Sequence, residues 1–171
     1  MSNSEKKSAQ IIAIDARKVR TLGSADETHK PGRYGYRMAG CGFLVGAQVP
    51  SEVVIAPAIF PVPKAPEWVL GLANVRGFIV PVFDLWKFVC THRPERNGCT
   101  VLILNLGGAA VGLVIDNLPK PVPLDSQPIR TLLAAPALQP FLGRGVHAFG
   151  YEWWEFDHQQ FLAHLSAVDA R

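Results

Sequence analysis

Residues Thr100 to Ile115 read T-V-L-I-L-N-L-G-G-A-A-V-G-L-V-I, and the two halves of that stretch decide what kind of fold the chain builds. Thr100 to Leu106 and Ala110 to Ile115 each have strand length. They are rich in branched aliphatic residues, which crowd a helix but fit a pleated surface. Between them Gly107-Gly108 tolerates positive φ at both positions, as a tight hairpin turn requires. The chain is therefore expected to be built on antiparallel β-structure.

The same texture extends in both directions. Phe43 to Val49, Glu52 to Ile55, Phe78 to Phe83 and Gly150 to Phe156 are further short apolar segments punctuated by glycine and proline, and each is expected to be a strand. Pro119, Pro121 and Pro123 alternate, which suits an extended sheet edge and excludes a central strand, since each proline lacks a ladder donor. Two short helices are expected after strands. Asp84 can cap one whose Leu85, Phe88 and Val89 share a face, and Asp157 can cap another with Phe161, Leu162, Leu165 and Val168 on one side. Trp153 and Trp154 point to opposite faces of a regular strand, which predicts one in the core and one as a surface contact.

Those helices expose an internal echo. Leu70 to Phe88 and Leu142 to Phe161 share an order: Leu-Gly, a strand ending in Phe-Asp, and a second Phe five positions after the first. Phe83, Asp84 and Phe88 thus correspond to Phe156, Asp157 and Phe161. The echo predicts two similar all-β lobes, each finished by a capped helical turn; closing each into a small barrel would hide its strand edges.

With 171 residues and 49% hydrophobic content, the chain fits one domain or two small lobes sharing a core, and needs neither metal nor disulfide to fold. Its longest apolar runs, such as Phe78 to Phe83, fall far short of the ~20 residues that cross a bilayer. The opening M-S-N-S-E-K-K-S is not followed by the apolar stretch of a secretory signal, and Cys41, Cys90 and Cys99 cannot all pair within one chain. Both features lead to the expectation of a cytoplasmic protein. The formal charge of +3 is uneven: the first 37 residues hold eight Lys or Arg against four acids. Residues 1–37 are therefore read as a flexible basic extension, with one ordered patch at Ile11 to Ile14, and 38–168 as the folded domain. A nucleic-acid binder using that arm on phosphates is the alternative, although aromatic residues do not interleave the charges before Tyr34.

Catalytic chemistry finds little support. Cys90 and His92 lie close in sequence without the surroundings of an activated nucleophile, and C-x-H-x6-C through Cys99 lacks the ligand count and paired spacings of structural zinc. Gly107-Gly108 and Gly143-x-Gly145 belong to no phosphate-binding loop. No cofactor or metal is expected, and a binding module is favoured over an enzyme.

At 66 to 85 the chain reads P-E-W-V-L-G-L-A-N-V-R-G-F-I-V-P-V-F-D-L, which resembles the signature of the CheW-like family of chemotaxis coupling proteins. T-V-L-I-L-N-L-G-G-A-A-V-G-L-V-I-D (Thr100 to Asp116) and L-D-S-Q-P-I-R (Leu124 to Arg130) continue the resemblance. F-L-V-G-A-Q-V-P-S-E-V (Phe43 to Val53) is similar to the family's first hairpin. The wording A-P-E-W-V-L-G-L-A-N-V-R-G most resembles the PilI-type variants of type IV pilus twitching systems. The resemblance covers about residues 40 to 165. It implies an all-β fold of two small five-stranded, SH3-like β-barrels sharing a hydrophobic core, with short helices after strands and a C-terminal helix. It also implies a non-enzymatic adaptor that couples the cytoplasmic tips of chemoreceptors to the regulatory domain of a histidine kinase, recruited to membrane-associated receptor arrays.

Carried over residue by residue, the resemblance assigns partner contact to Asn74, Val75 and Arg76 and to Val49, Glu52 and Val53. Pro50, Gly40, Gly46, the tryptophans at 153 and 154 and the basic extension depart from the family's pattern. For Arg76 the residues alone leave a structural alternative open, a half-buried pairing with Asp84 or Asp116.

Overall fold

A computed structural model describes residues 33–89, 99–106, 109–123, 128–129 and 135–168, together with the backbone of 10–14. Along the chain these form β1 (Gln10–Ile14), β2 (Arg33–Met38), β3 (Cys41–Leu44), β4 (Ser51–Ile55), β5 (Ile59–Phe60), β6 (Val69–Val75), β7 (Phe78–Phe83) and α1 (Leu85–Val89). There follow β8 (Thr100–Leu106), β9 (Ala109–Ile115), β10 (Lys120–Val122), β11 (Pro128–Ile129), a 3-10 helix (Pro136–Phe141), β12 (Leu142–Ala148), β13 (Tyr151–Phe156) and α2 (His158–Val168).

The strands form two sheets. One runs β1-β4-β8-β9-β7-β6-β5 and the other β10-β2-β3-β13-β12-β11. Each has two antiparallel hairpins at its centre, β8–β9 beside β6–β7 and β2–β3 beside β12–β13. The hairpins join through one parallel pair, β7 with β9 and β13 with β3. The second lobe is therefore completed by N-terminal strands.

The internal echo is structural. Asp84 N–H donates to the Trp68 carbonyl and Asp157 N–H to the Phe141 carbonyl, at 2.8 and 2.9 Å. Both hairpins carry a register shift near their start, between Val69 and Gly71 and between Leu142 and Gly145. Each aspartate caps its helix as the sequence implied, with Asp84 Oδ1 accepting from Trp86 N–H at 3.2 Å and Asp157 Oδ1 from Gln160 N–H at 2.9 Å. Trp68 packs on Phe83 and Phe88, and Phe141 packs on Phe156 and Phe161 in the matching way. The two aromatic triads meet where the Phe88 and Phe161 rings lie edge to face, 5.6 Å apart. Burying one such ring contributes about 1.5–3 kcal/mol, so this junction is a main tie between the lobes.

The core explains why the strands read as continuous apolar runs and not as alternating ones. Leu102, Leu104, Leu113 and Ile115 face a core shared with Tyr36, Phe43, Trp154 and Phe161, whereas Val101, Ile103 and Val114 face a cluster of residues from the first lobe alone. A third cluster, with Leu44, Val122, Val146 and Trp153, lies inside the second lobe. β8 and β9 are therefore buried on both faces.

This corrects the reading of the tryptophans. Trp153 and Trp154 do take opposite faces of β13, but both are buried, because β13 is an interior strand covered on each side.

Other expectations shift in detail. The sheets have seven and six strands, with short strands such as β5 and β11 added at edges, and the described pairings run from one edge strand to the other without closing into a five-stranded barrel. Phe43 to Val53 is not a hairpin: β3 belongs to the second sheet and β4 to the first, so the segment crosses between lobes. The boundary at residue 37 falls inside β2, and the Ile11–Ile14 patch lies in β1, paired with β4. β6 and β12 join the strands read from the sequence. Pro121 does lie on an edge strand, paired with Tyr34. Cys90, His92, Gly107-Gly108, Leu124 to Gln127 and Arg130, and the basic residues of 1–9 and 15–32, lie outside the described residues.

Candidate docking site

The β6–β7 hairpin turns in two residues. Val75 pairs with Phe78, leaving Arg76 and Gly77 at the tip with φ of 53° and 88°, the twist-matched turn that needs positive φ at both central positions. Gly77 suits such a position, and the Asn74 Oδ1 accepts its N–H at 2.9 Å, which fastens the turn. Arginine does not suit it: the left-handed conformation costs an L-residue with a Cβ about 1–2 kcal/mol. Strain of this kind persists only where the surrounding structure holds it.

The Arg76 guanidinium lies 2.9 Å from the Glu52 carboxylate, with side-chain exposures of 58% and 21%. Glu52 sits on β4, separated from β7 by β8 and β9, so the sheet curls until β4 and the β6–β7 tip meet. The open alternative for Arg76 is thereby corrected. Its partner is Glu52, while Asp84 caps α1 and Asp116 accepts from Gly40 N–H and Trp86 Nε1.

Apolar surface adjoins the pair. Phe78, opposite Val75 at the tip, is 73% exposed; on the other face of the hairpin Ile79, Leu72 and Phe60 are exposed, brought together by the pairings Asn74–Ile79 and Phe60–Leu72. An ion pair rimming exposed apolar side chains has the anatomy of a protein-docking surface.

The six residues assigned from sequence thus separate into three groups. Glu52, Asn74 and Arg76 meet at the tip or shape it. Val53 and Val75 are buried, facing the shared core and the first-lobe core respectively, and pack inward in the described structure. Along β6 alternation accounts for this, with exposed Leu72 and Asn74 between inward residues, whereas β4 is covered on both faces, Val53 facing the shared core and Val54 the first-lobe core. Val49 lies elsewhere, on the wall of a cleft of about 630 Å³ between the lobes. Phe78, Ile79, Leu72 and Phe60 were missed as surface residues because hydrophobicity reads as core until the pairing register is known.

That cleft is also lined by Arg33, Asn105, Glu155 and His158. Arg33 and Glu155 form an ion pair across β2 and β13, and Glu155 also accepts from Arg144 N–H. One of its lining residues, His158, shares a buried 2.8 Å hydrogen bond between Nε2 and the Tyr36 hydroxyl. Burial raises the Tyr36 hydroxyl well above its ordinary range, so it keeps its proton. Burial also pushes His158 down to about 4, outweighing Asp157 and the hydrogen bond to the Phe156 backbone, which act to raise it. The pair is therefore neutral, and it reads as a structural hydrogen bond under the cleft. Among the described residues no group of three His, Cys, Asp or Glu side chains is placed to hold a metal, and no helix is long and apolar enough to cross a membrane.

Comparison with known proteins agrees with this architecture. The CheW-like domain family model matches residues 36–148. Protein PilI of Pseudomonas aeruginosa is 32% identical over 140 residues, covering 79% of this chain and 77% of that protein. Chemotaxis protein CheW of Klebsiella aerogenes is 34% identical over 68 residues, covering 39% of this chain and 41% of that protein. The crystal structure of the scaffolding protein TtCheW from Thermoanaerobacter tengcongensis superposes with a TM-score of 0.59 at 22% identity, covering 74% of this chain and 88% of that one, and so shares the fold. With the family model matched over more than half of the chain and a PilI relative along most of its length, the chain belongs to the CheW-like domain family and is of the PilI-type variant.

Proposed function

We propose that this chain is a non-enzymatic adaptor of chemotaxis or type IV pilus signalling, which couples the cytoplasmic tip of a methyl-accepting chemoreceptor to the regulatory domain of a CheA-type histidine kinase. Membership of a family with scaffolding members supports the coarser part of this reading. The observation that carries the finer part is Arg76: an exposed cation held at a strained hairpin tip, oriented by Glu52 and flanked by exposed Phe78 and Ile79. Arginine beside apolar anchors is a frequent centre of binding energy, and a helical receptor tip offers the apolar side chains and polar groups such a surface accepts. The adaptor works in the cytoplasm and is recruited to receptor arrays by that contact. The 38–168 region acts as the binding domain and the basic residues ahead of it as an extension.

Isothermal titration of the purified chain against a soluble receptor signalling fragment from the same organism tests the assignment. Arg76→Glu is expected to abolish heat release while the melting curve stays near that of the parent. Binding that survives Arg76→Glu, or a receptor fragment that does not bind the parent chain, overturns it.

A further inference from the structure

The β12–β13 hairpin repeats the construction of the β6–β7 hairpin with different chemistry at its tip. Ala148 pairs with Tyr151, leaving Phe149 and Gly150 as a two-residue turn with φ of 55° and 76°. Phe149 stands eight residues before Asp157, as Arg76 stands eight before Asp84, so the repeat equates Phe149 with Arg76 and Tyr151 with Phe78. The correspondence continues on the neighbouring strands. Glu52 of β4 pairs with Ile103, three residues before the end of β8, and Lys120 of β10 pairs with Gly35, three residues before the end of β2.

Where Glu52 reaches Arg76, Lys120 reaches Phe149. Its ammonium lies 4.8 Å from the centre of the Phe149 ring, 5.4 Å from that of Tyr151 and 5.3 Å from that of Trp153. The Arg37 guanidinium covers Tyr151 at 4.5 Å. Phe149 is 59% exposed and Tyr151 43%, with exposed Leu118 in the loop before β10. Among the described residues no carboxylate lies within ion-pair distance of Lys120 or Arg37. Phe149, like Arg76, occupies a left-handed position that asparagine or glycine would fill without strain.

We infer that Phe149, Tyr151, Lys120 and Arg37 form a second docking surface, which takes an acidic segment of a partner protein carrying an apolar side chain. Two cations laid on exposed rings leave a positive, apolar surface whose complement is an apolar residue flanked by carboxylates. An anionic membrane is the poorer fit, because electrostatic attachment there draws on clusters of about 4–8 cations. This surface lies on the opposite lobe from Arg76 and shares no residue with the Arg76 tip.

The probe is a pair of synthetic peptides, one Phe-Leu flanked by glutamates and the other identical but flanked by lysines, titrated into the isotope-labelled full chain. The glutamate peptide is expected to bind at least about tenfold more tightly, with amide shifts concentrated at 118–122 and 147–153. Lys120→Glu and Phe149→Gly should each weaken it by about tenfold or more. Phe149→Gly should do so without lowering the melting temperature, because glycine relieves the turn. Equal binding of the two peptides, shifts centred on Arg76, unchanged affinity in Phe149→Gly, or preference for phosphatidylserine vesicles over the glutamate peptide would each overturn the inference.

Discussion

Replacing Arg76 by asparagine separates the two roles an exposed arginine can have. Asparagine tolerates the left-handed φ of 53° that Arg76 holds, and Asn-Gly is a preferred pair for this turn, so the substitution recovers about 1 kcal/mol of backbone strain. Against that stands the lost ion pair to Glu52, which at 58% exposure of the Arg76 side chain contributes about 0.2–1 kcal/mol. The net is a stability change near zero or slightly favourable, a shift of no more than about 2 °C in Tm for a chain of this size. Arg76→Ala keeps the strain and loses the pair, so it should melt about 1–4 °C lower than Arg76→Asn. Receptor affinity should instead fall by at least about 2 kcal/mol, or roughly 30-fold in Kd, in both variants. Calorimetric melting and titration against the receptor fragment measure the two quantities. A drop in Tm of more than about 5 °C in Arg76→Asn with affinity retained would refute the reasoning and make the arginine a fold-holding residue.

Two further outcomes follow from the buried groups and close backbone approaches. His158 is pushed to about 4 from its ordinary 6.5, so between those values the unfolded chain binds more protons than the folded one. Its contribution is complete above pH 6.5 and is lost as pH falls toward 4. Chemical denaturation should register a decline of about 3 kcal/mol across that window, and a decline as large in His158→Gln would assign it to other groups. Gly42 pairs with Trp153 in the parallel ladder, and a Cβ there would lie 2.3 Å from the Glu152 carbonyl oxygen. Gly42→Ala should cost about 2–3 kcal/mol, read as a lower urea midpoint with unchanged m; an unchanged midpoint would contradict the packing of β3 against β13.

How much was legible beforehand depended on whether a signal was local. The strands at Thr100–Leu106 and Phe78–Phe83 and the caps at Asp84 and Asp157 are local, and so was the echo linking Phe83, Asp84 and Phe88 to Phe156, Asp157 and Phe161. β6 was not legible, because Gly71 in its interior reads as punctuation. Its φ of 139° and its approach to the Phe60 carbonyl, where a Cβ would come within 2.1 Å, give that glycine a packing reason. The burial of both tryptophans and of Val53 depends on covering both faces of a strand, which only the stacking of two lobes decides. At the site, Arg76 stood out as a lone cation in an apolar run. Its partner Glu52 lies across the curl of the sheet, where sequence distance carries no information.

Size-exclusion chromatography with light scattering tests bridging of receptor and kinase most directly. A receptor signalling fragment, the kinase regulatory domain and this chain would be run alone, in pairs and together. Receptor and kinase domain are expected to co-elute only when the chain is present, and Arg76→Glu to leave the kinase domain bound to the chain while releasing the receptor. Co-elution of receptor and kinase domain to the same extent without the chain would contradict it.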